Sequence, residues 1–361
     1  MKKIFLILSI LLLSMTGCKR DTAQIKHNIQ FYDTFDTVIE VTIFSEDKDF
    51  AEENLQFAQD RFEELHKLFD RYHNYRSDKK EIPNVKTIND KAGKEPVFVS
   101  EDLYEMIKFS KEAYNTISHK TNICLGPLVD YWNQYRDLYE GGASSKDVEE
   151  QLGYSLPPQE ELEALRPLMD MNELIVDDKN HTVFLTKEGM SLDTGAVAKG
   201  YATELVARDL EKRGVTSAMI SAGGNVRLIG KPMGDRQFFR VGIQNPDTNS
   251  SNQVAEILDV NGVSVVTSGD YQRYFDLAGK RYCHILDPDT LYPTDHIRSM
   301  TVVTKDSGLC DFLSTAAFLS NTEDIMAMAK QTQTDMLWID RDLKVLMTPG
   351  MSKYLEDDHA K

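Results

Sequence analysis

Three stretches hold residue types whose spacing suits chemistry as well as folding. In "DTGAVAKG", the acid Asp193, the glycines Gly195 and Gly200 and the cation Lys199 fall within eight residues, where a strand-like end runs into an amphipathic helix. Glycines at a helix entrance let the main chain approach a ligand closely. The helix N-terminus adds free N–H groups and partial positive charge. Lys199 brings a full charge suited to a pyrophosphate, and Asp193 could accept hydrogen bonds from a ring or ribose. A capped surface helix with an incidental lysine would read the same way. In "DFLST", Asp311 and Thr315 stand one helical turn apart on one face. Both are hard oxygen ligands suited to Mg2+, with a phosphate completing the shell. The plainer alternative has Thr315 bonding back to its own turn and Asp311 capping a helix end. In "YCHILDPDTLYP", His284 precedes Asp287 by three residues, with two prolines fixing the following turn. A histidine beside an acid can act as a general base near neutral pH, and a core histidine bonded to backbone would fit the same pattern. The glycine turns "SAGGN" (Ser221 to Asn225) and "TSGDY" (Thr267 to Tyr271) could line a pocket or simply reverse the chain.

The elements that must position these residues are legible from periodicity. "FDTVIEVTIF", Phe35 to Phe44, is β-branched and predicts a strand. In the next segment Leu55, Ala58, Phe62, Leu65 and Phe69 recur at helical spacing. "RSDKKEIPNVKTIND" is polar and broken by Pro83, which predicts a loop. A second helix is expected from Glu101, with Ser100 as its cap. The segment from Glu140 to about Glu161 is expected to be a surface insertion. The second half alternates strand-like runs with glycine turns and lacks regular helical crossovers. The expected class is therefore α+β, with mixed or antiparallel sheets flanked by helices, rather than a doubly wound sheet. Neither G-x-G-x-x-G nor a Walker A lysine motif occurs.

The chain has 361 residues, 41% hydrophobic and 27% charged, with a net charge of −17. That balance belongs to a globular protein and disfavours nucleic acid or anionic lipid as a nonspecific partner, so any phosphate site must be local. The first residues, "MKKIFLILSILLLSMTGC", have two lysines, an apolar run and small residues before Cys18, the tripartite pattern of a secretory signal. The ending resembles a bacterial lipobox, with lipid attached at Cys18. A transmembrane anchor is the alternative, but the run is short for a ~20-residue span. The expected organisation is a signal peptide at 1–17, a tether at 18–29 and one domain at 30–361. Cys124, Cys283 and Cys310 are too scattered for a disulfide framework or zinc site and are expected to be buried thiols, with Cys283 notable for adjoining His284.

The order of the segments says more than any one of them. "DTGAVAKGYATE", "SAGGN", "TSGDYQRYF", "GKRYCHILDPDTLYP" and "VVTKDSGLCDFLSTAAF" in succession resemble the ApbE family, the FAD:protein FMN transferases. The likeness runs from about Phe35 to about residue 350; "TNICLGPLVDYW" is similar to a family segment upstream, and a lipobox is common in the family. The resemblance implies an α+β domain that binds FAD as substrate with Mg2+ on its pyrophosphate. It implies transfer of FMN to a Thr or Ser hydroxyl of an acceptor flavoprotein, with release of AMP. Carried over by position, the metal ligands are the Asp311 carboxylate, the Thr315 hydroxyl and the Ala196 carbonyl. The flavin contacts are Asp193, Lys199 and Ile285, with Phe35 and Asn122 at further contact positions, and the base is His284. The chain departs from the family pattern at Phe35 and Asp36 (methionine and glycine in many members), at Asn122 (aspartate in many) and at Leu291 (usually glycine). By the same resemblance the acceptor would be an extracytoplasmic flavoprotein, such as a subunit of a redox complex, met at a bacterial membrane. An FAD pyrophosphatase using water, or a flavin-carrying lipoprotein without catalysis, would use much of the same site.

Overall fold

The computed structural model describes residues 25–355, so Cys18 and the apolar run before it lie outside the described residues. The chain opens with a hairpin of β1 (Lys26–Thr34) and β2 (Thr37–Phe44). Phe35 and Asp36 are its two-residue turn, at φ 56° and 51°, and Thr34 faces Thr37 across it. Positive φ at both turn residues matches the twist of a tight hairpin, at a steric cost for any residue but glycine. Phe35 is therefore turn rather than strand, and the strand expected from it starts two residues later. Helix α1 (Lys48–Phe69) is capped by Asp47 and buries Leu55, Ala58, Phe62, Leu65 and Phe69, the face its periodicity predicts.

The stretch expected to be a loop is structured. It holds the hairpin β3 (Tyr75–Ser77) and β4 (Lys80–Ile82) and the short helix α2 (Val85–Asp90). Elements this short carry no measurable period, and the reciprocal capping box of Asn84 and Thr87 starts α2 without an apolar stripe. After β5 (Val97–Phe98) comes α3 (Glu101–Thr116); Ser100 occupies the N-cap position but makes no side-chain cap bond. Helices α4 (Gly126–Glu140), α5 (Ser145–Leu152) and α6 (Gln159–Ala164) follow, so the expected surface insertion is largely exposed but helical. Strands β6 (Leu174–Asp177) and β7 (Thr182–Leu185) join β5 in a small sheet.

The second half builds the frame. Helix α7 (Ala198–Lys212) leads to β8 (Ser217–Ala222) and β9 (Asn225–Gly230). The pair β10 (Phe239–Gln244) and β11 (Val254–Val260) precedes β12 (Ser264–Gly269). A hairpin of β13 (Tyr274–Leu277) and β14 (Lys280–Cys283) then precedes β15 (Ile297–Thr304). Helices α8 (Ser307–Phe318) and α9 (Thr322–Thr332) and strands β16 (Asp335–Asp340) and β17 (Val345–Met347) complete the chain. Eight strands form one sheet in the order β1-β2-β8-β9-β12-β15-β16-β17, antiparallel at every pairing.

This is the expected α+β class. Ile39, Val41 and Ile220 of the sheet pack in the main core with Phe62 of α1, Val206 of α7 and Phe312 of α8. Leu228, Val265 and Val303 pack in a second core with β10 and β11, and Trp132, Phe275, Tyr282 and Leu291 form a third. Leu291 has φ 65°, which explains why glycine suits that position; here its buried side chain and the Trp132 indole N–H on its carbonyl offset the strain. Cys124, Cys283 and Cys310 are buried and free, and burial pushes the Cys283 thiol up to about 11, which leaves it inert beside His284. Among the described residues no helix is long and apolar enough to cross a membrane.

Candidate active site

The sequence-predicted residues gather around the start of α7, at the end of the sheet that carries the Phe35–Asp36 turn. The segment entering α7 is pinned on several sides. The Leu192 N–H donates to Asn89 Oδ1 (2.7 Å), the Asp193 N–H to the Ile123 carbonyl (2.8 Å), and the Thr194 hydroxyl to the Phe69 carbonyl (3.3 Å). Val197, at the N-cap position, makes no side-chain cap bond. Instead the Gly200 N–H, in the first turn of α7, donates to Asp311 Oδ2 of α8 at 2.8 Å. A helix N-terminus favours an anion, and here a carboxylate from the neighbouring helix supplies it. A Cβ at Gly200 would lie 2.4 Å from both the Asp311 Cβ and the Ser307 carbonyl oxygen, so glycine is required by close approach.

Asp311 is only 5% exposed, and burial raises its pKa against the opposing pull of Lys199 and the Gly200 N–H. Neither plainer role for the Asp311–Thr315 pair is seen. Asp306 caps α8, and it is the Ser314 hydroxyl that bonds back to the Asp311 carbonyl. The half-buried Thr315 hydroxyl makes no hydrogen bond among the described residues. A buried carboxylate with a single N–H donor and an uncommitted hydroxyl one turn away are suited to a hard divalent cation. Among the described residues no group of three or more His, Cys, Asp or Glu side chains could hold a metal. Any cation bound here would thus draw on neutral oxygens and on the phosphates of its ligand.

Lys199 is half-buried, and its Nζ donates to the Gly195 carbonyl at 3.2 Å. Its charge opposes the rise in the Asp311 pKa and adds to the fall at His284. His284 follows β14. Its N–H donates to the Arg273 carbonyl (3.0 Å), and its Nδ1 lies 3.3 Å from the same oxygen. Donation from Nδ1 to that carbonyl leaves Nε2 as the acceptor in the neutral ring. Burial, helped by the Arg273, Lys199 and Arg136 cations, lowers the His284 pKa to about 4, although part of the ring stays accessible. Asp287 is not its partner. That carboxylate is held by Lys120 at 2.7 Å, so a backbone carbonyl orients the ring where the sequence had suggested an acid. A narrow cleft lined by Trp132, Asn133, Arg136, Phe275 and Tyr282 borders His284. The larger hollow, of about 400 Å3 beside Ile43, Asp47 and Gly214, is at the opposite end of the sheet and holds none of these residues.

The remaining positions differ in how free they are. Ala196 is half-buried in the turn before α7, and Ile285 is buried next to His284. The Phe35 N–H donates to His66 Nδ1 (3.2 Å) and its ring packs against Phe62 and Phe69, which stabilises the strained turn. The Asn122 amide is committed at both ends, to the Met169 carbonyl and the Cys124 N–H. Asp193 is committed too. Its Oδ1 accepts the Gly195 N–H (2.9 Å) and its Oδ2 accepts Arg71 Nη1 (2.7 Å). Sequence reasoning missed Arg71, which stands 122 residues from Asp193 with no motif to mark it.

The profile of the ApbE family matches residues 35–338 of the chain. A relative named FAD:protein FMN transferase, from Klebsiella pneumoniae (strain 342), is 32% identical across 78% of this chain and 82% of its own length. Another protein of that name, from Vibrio cholerae, is 27% identical across 91% of each chain. Among solved structures, the ApbE protein of Thermotoga maritima superposes with a TM-score of 0.75, covering 92% of this chain and 99% of its own, at 23% identity. The flavin transferase ApbE of Vibrio cholerae gives 0.73, covering 91% and 100%, also at 23% identity. These structures share the fold.

Proposed function

The chain belongs to the ApbE family, and from that membership we propose that it is an FAD:protein FMN transferase, moving FMN from FAD to a serine or threonine hydroxyl of an acceptor protein. The acceptor oxygen attacks the FMN-side phosphorus. Its new O–P bond forms as the bond to AMP breaks, and the hydroxyl proton passes to His284 Nε2. The orientation of the ring by the Arg273 carbonyl supports that role, because it leaves an unprotonated nitrogen in reach of solvent. Lys199, beside the start of α7, would receive the pyrophosphate, where its positive charge favours the departing AMP. Mg2+, where bound, supplies further neutralisation of that charge, and Asp311, Thr315 and the Ala196 carbonyl are the residues that would hold it.

The observation that carries the reading is the buried Asp311 carboxylate seated on the Gly200 N–H at a glycine-opened helix start, with the Thr315 hydroxyl one turn away. Anchoring by lipid at Cys18, on the extracytoplasmic side of a bacterial membrane, belongs to the same proposal and would bring the enzyme to membrane-associated acceptors. Mass spectrometry of a candidate acceptor after incubation with FAD and Mg2+ tests it. The acceptor should gain FMN at a serine or threonine while an equal amount of AMP appears. An unmodified acceptor with free FMN and AMP would assign water as the nucleophile, and an intact FAD pool would leave a flavin carrier.

A further inference from the structure

Arg71 is a buried cation that no part of the reaction above uses. It follows Asp70, the C-cap residue of α1, and its side chain is only 8% exposed. Nη1 donates to Asp193 Oδ2 and Nη2 to Asp130 Oδ2, each at 2.7 Å, so the guanidinium spans two carboxylates from separate segments. Burial works against its charge, but Asp193 and Asp130 outweigh that and hold its pKa above the ordinary arginine value. Its Nε is buried without a partner. Burying a guanidinium is costly unless its partners are well placed, so a fold that needed only stability would be served by apolar packing at this point.

The connection runs onward from Asp193. Its other oxygen takes the Gly195 N–H, which closes the turn carrying Ala196 and leading into α7. Both carboxylate oxygens are thereby fixed, one by Arg71 and one by the turn. We infer that Arg71 is a positioning residue for the metal site: through Asp193 it holds the Gly195–Ala196 turn in the arrangement that presents the Ala196 carbonyl to the cation. The inference rests on the reading of Ala196 as a metal ligand. Asp193 then acts as a strut between α1 and α7 as well as a lining group of the FAD cradle. Arginine suits the task because its planar fork reaches two carboxylates at once, which an ammonium on a flexible stem does not reproduce.

The test uses the full chain with Arg71→Lys, which keeps the charge and loses the fork. FAD affinity is titrated by flavin fluorescence with and without Mg2+, alongside the melting temperature. In the wild-type protein Mg2+ should tighten FAD binding. In Arg71→Lys that tightening should shrink by roughly tenfold or more, the usual effect of losing a group that orients a metal ligand, while FAD affinity without Mg2+ changes far less. A purely structural ion bridge would lower the melting temperature and leave the Mg2+ effect intact, and that result overturns the inference alone. A wild-type protein whose FAD affinity ignores Mg2+ overturns the metal reading itself, and the inference with it. Should Arg71→Lys fail to fold, Asp130→Asn takes its place, since it removes the half-exposed carboxylate at the other prong of the fork and leaves Asp193 intact; the same two outcomes decide.

Discussion

With Nδ1 turned to the Arg273 carbonyl, His284 has one nitrogen left for chemistry, and burial lowers the ring's pKa to about 4. The base is the neutral ring, so transfer should lose rate only on acidification toward that value. Between roughly pH 5.5 and 8 the histidine should contribute no pH dependence, against the rise near neutrality expected of an ordinary imidazole. A rate profile with a limb near 6.5 would show that bound substrate resets the ring. The same shift links to stability. Below 6.5 the unfolded chain binds a proton at this histidine that the folded protein refuses, so acidification toward 4 costs stability. His284→Ala should bind FAD normally and transfer FMN roughly 10²–10⁴-fold more slowly; a normal rate in that variant removes His284 from the mechanism. Asp311→Asn keeps an oxygen for the Gly200 N–H and removes the only full charge assigned to the metal. Its transfer rate should fall by at least about a hundredfold with the fold retained, as measured by AMP release against the circular dichroism spectrum.

At the scale of elements, the long amphipathic helix α1 and the strands of the large sheet were legible because burial on one face imposes a period on many residues. The hairpin β3–β4 and helix α2 were not, since three to six residues hold too few repeats to betray a face. The β1–β2 turn was missed for another reason: Phe35 is a poor former of a turn with positive φ, and its packing against Phe62 and Phe69 overrides that preference. Asp36 is the exposed member of the pair, so Asp36→Gly should relieve its strain. We expect a gain of about 0.5–1 kcal/mol in chemical denaturation, with no change in the Phe35 contacts. An unchanged or lower stability would mean that the aspartate side chain supports the turn in a way its exposure does not suggest.

Across the whole molecule, the ordered glycine, histidine and Asp–Thr motifs pointed to the site because each is local in sequence. The ion bridge of Arg71, Asp193 and Asp130 escaped, since its members come together only when α1, α4 and the segment before α7 pack, and no spacing encodes that meeting. Attachment to a membrane is a property of the whole chain as well. Cys18→Ala should shift the protein from the membrane fraction to the soluble one or leave the signal uncleaved; unchanged membrane retention with normal processing would rule out lipid at Cys18. If that anchor holds, the direction of β1 sets a working radius. Lys26 lies at one end of the nine-residue strand, and the Phe35 turn, beside the start of β9 and the Asp311 site, lies at the other. The strand spans about 30 Å, and the eight residue-to-residue steps from Cys18 to Lys26 can cover no more than ~28 Å. The reacting centre would therefore sweep a shell reaching some 50–60 Å from the bilayer at most, by the same chain dimensions. Hydroxyls displayed at that height would be flavinylated readily, and equally good ones held flush against the lipid would be served only when the enzyme lies down on its tether.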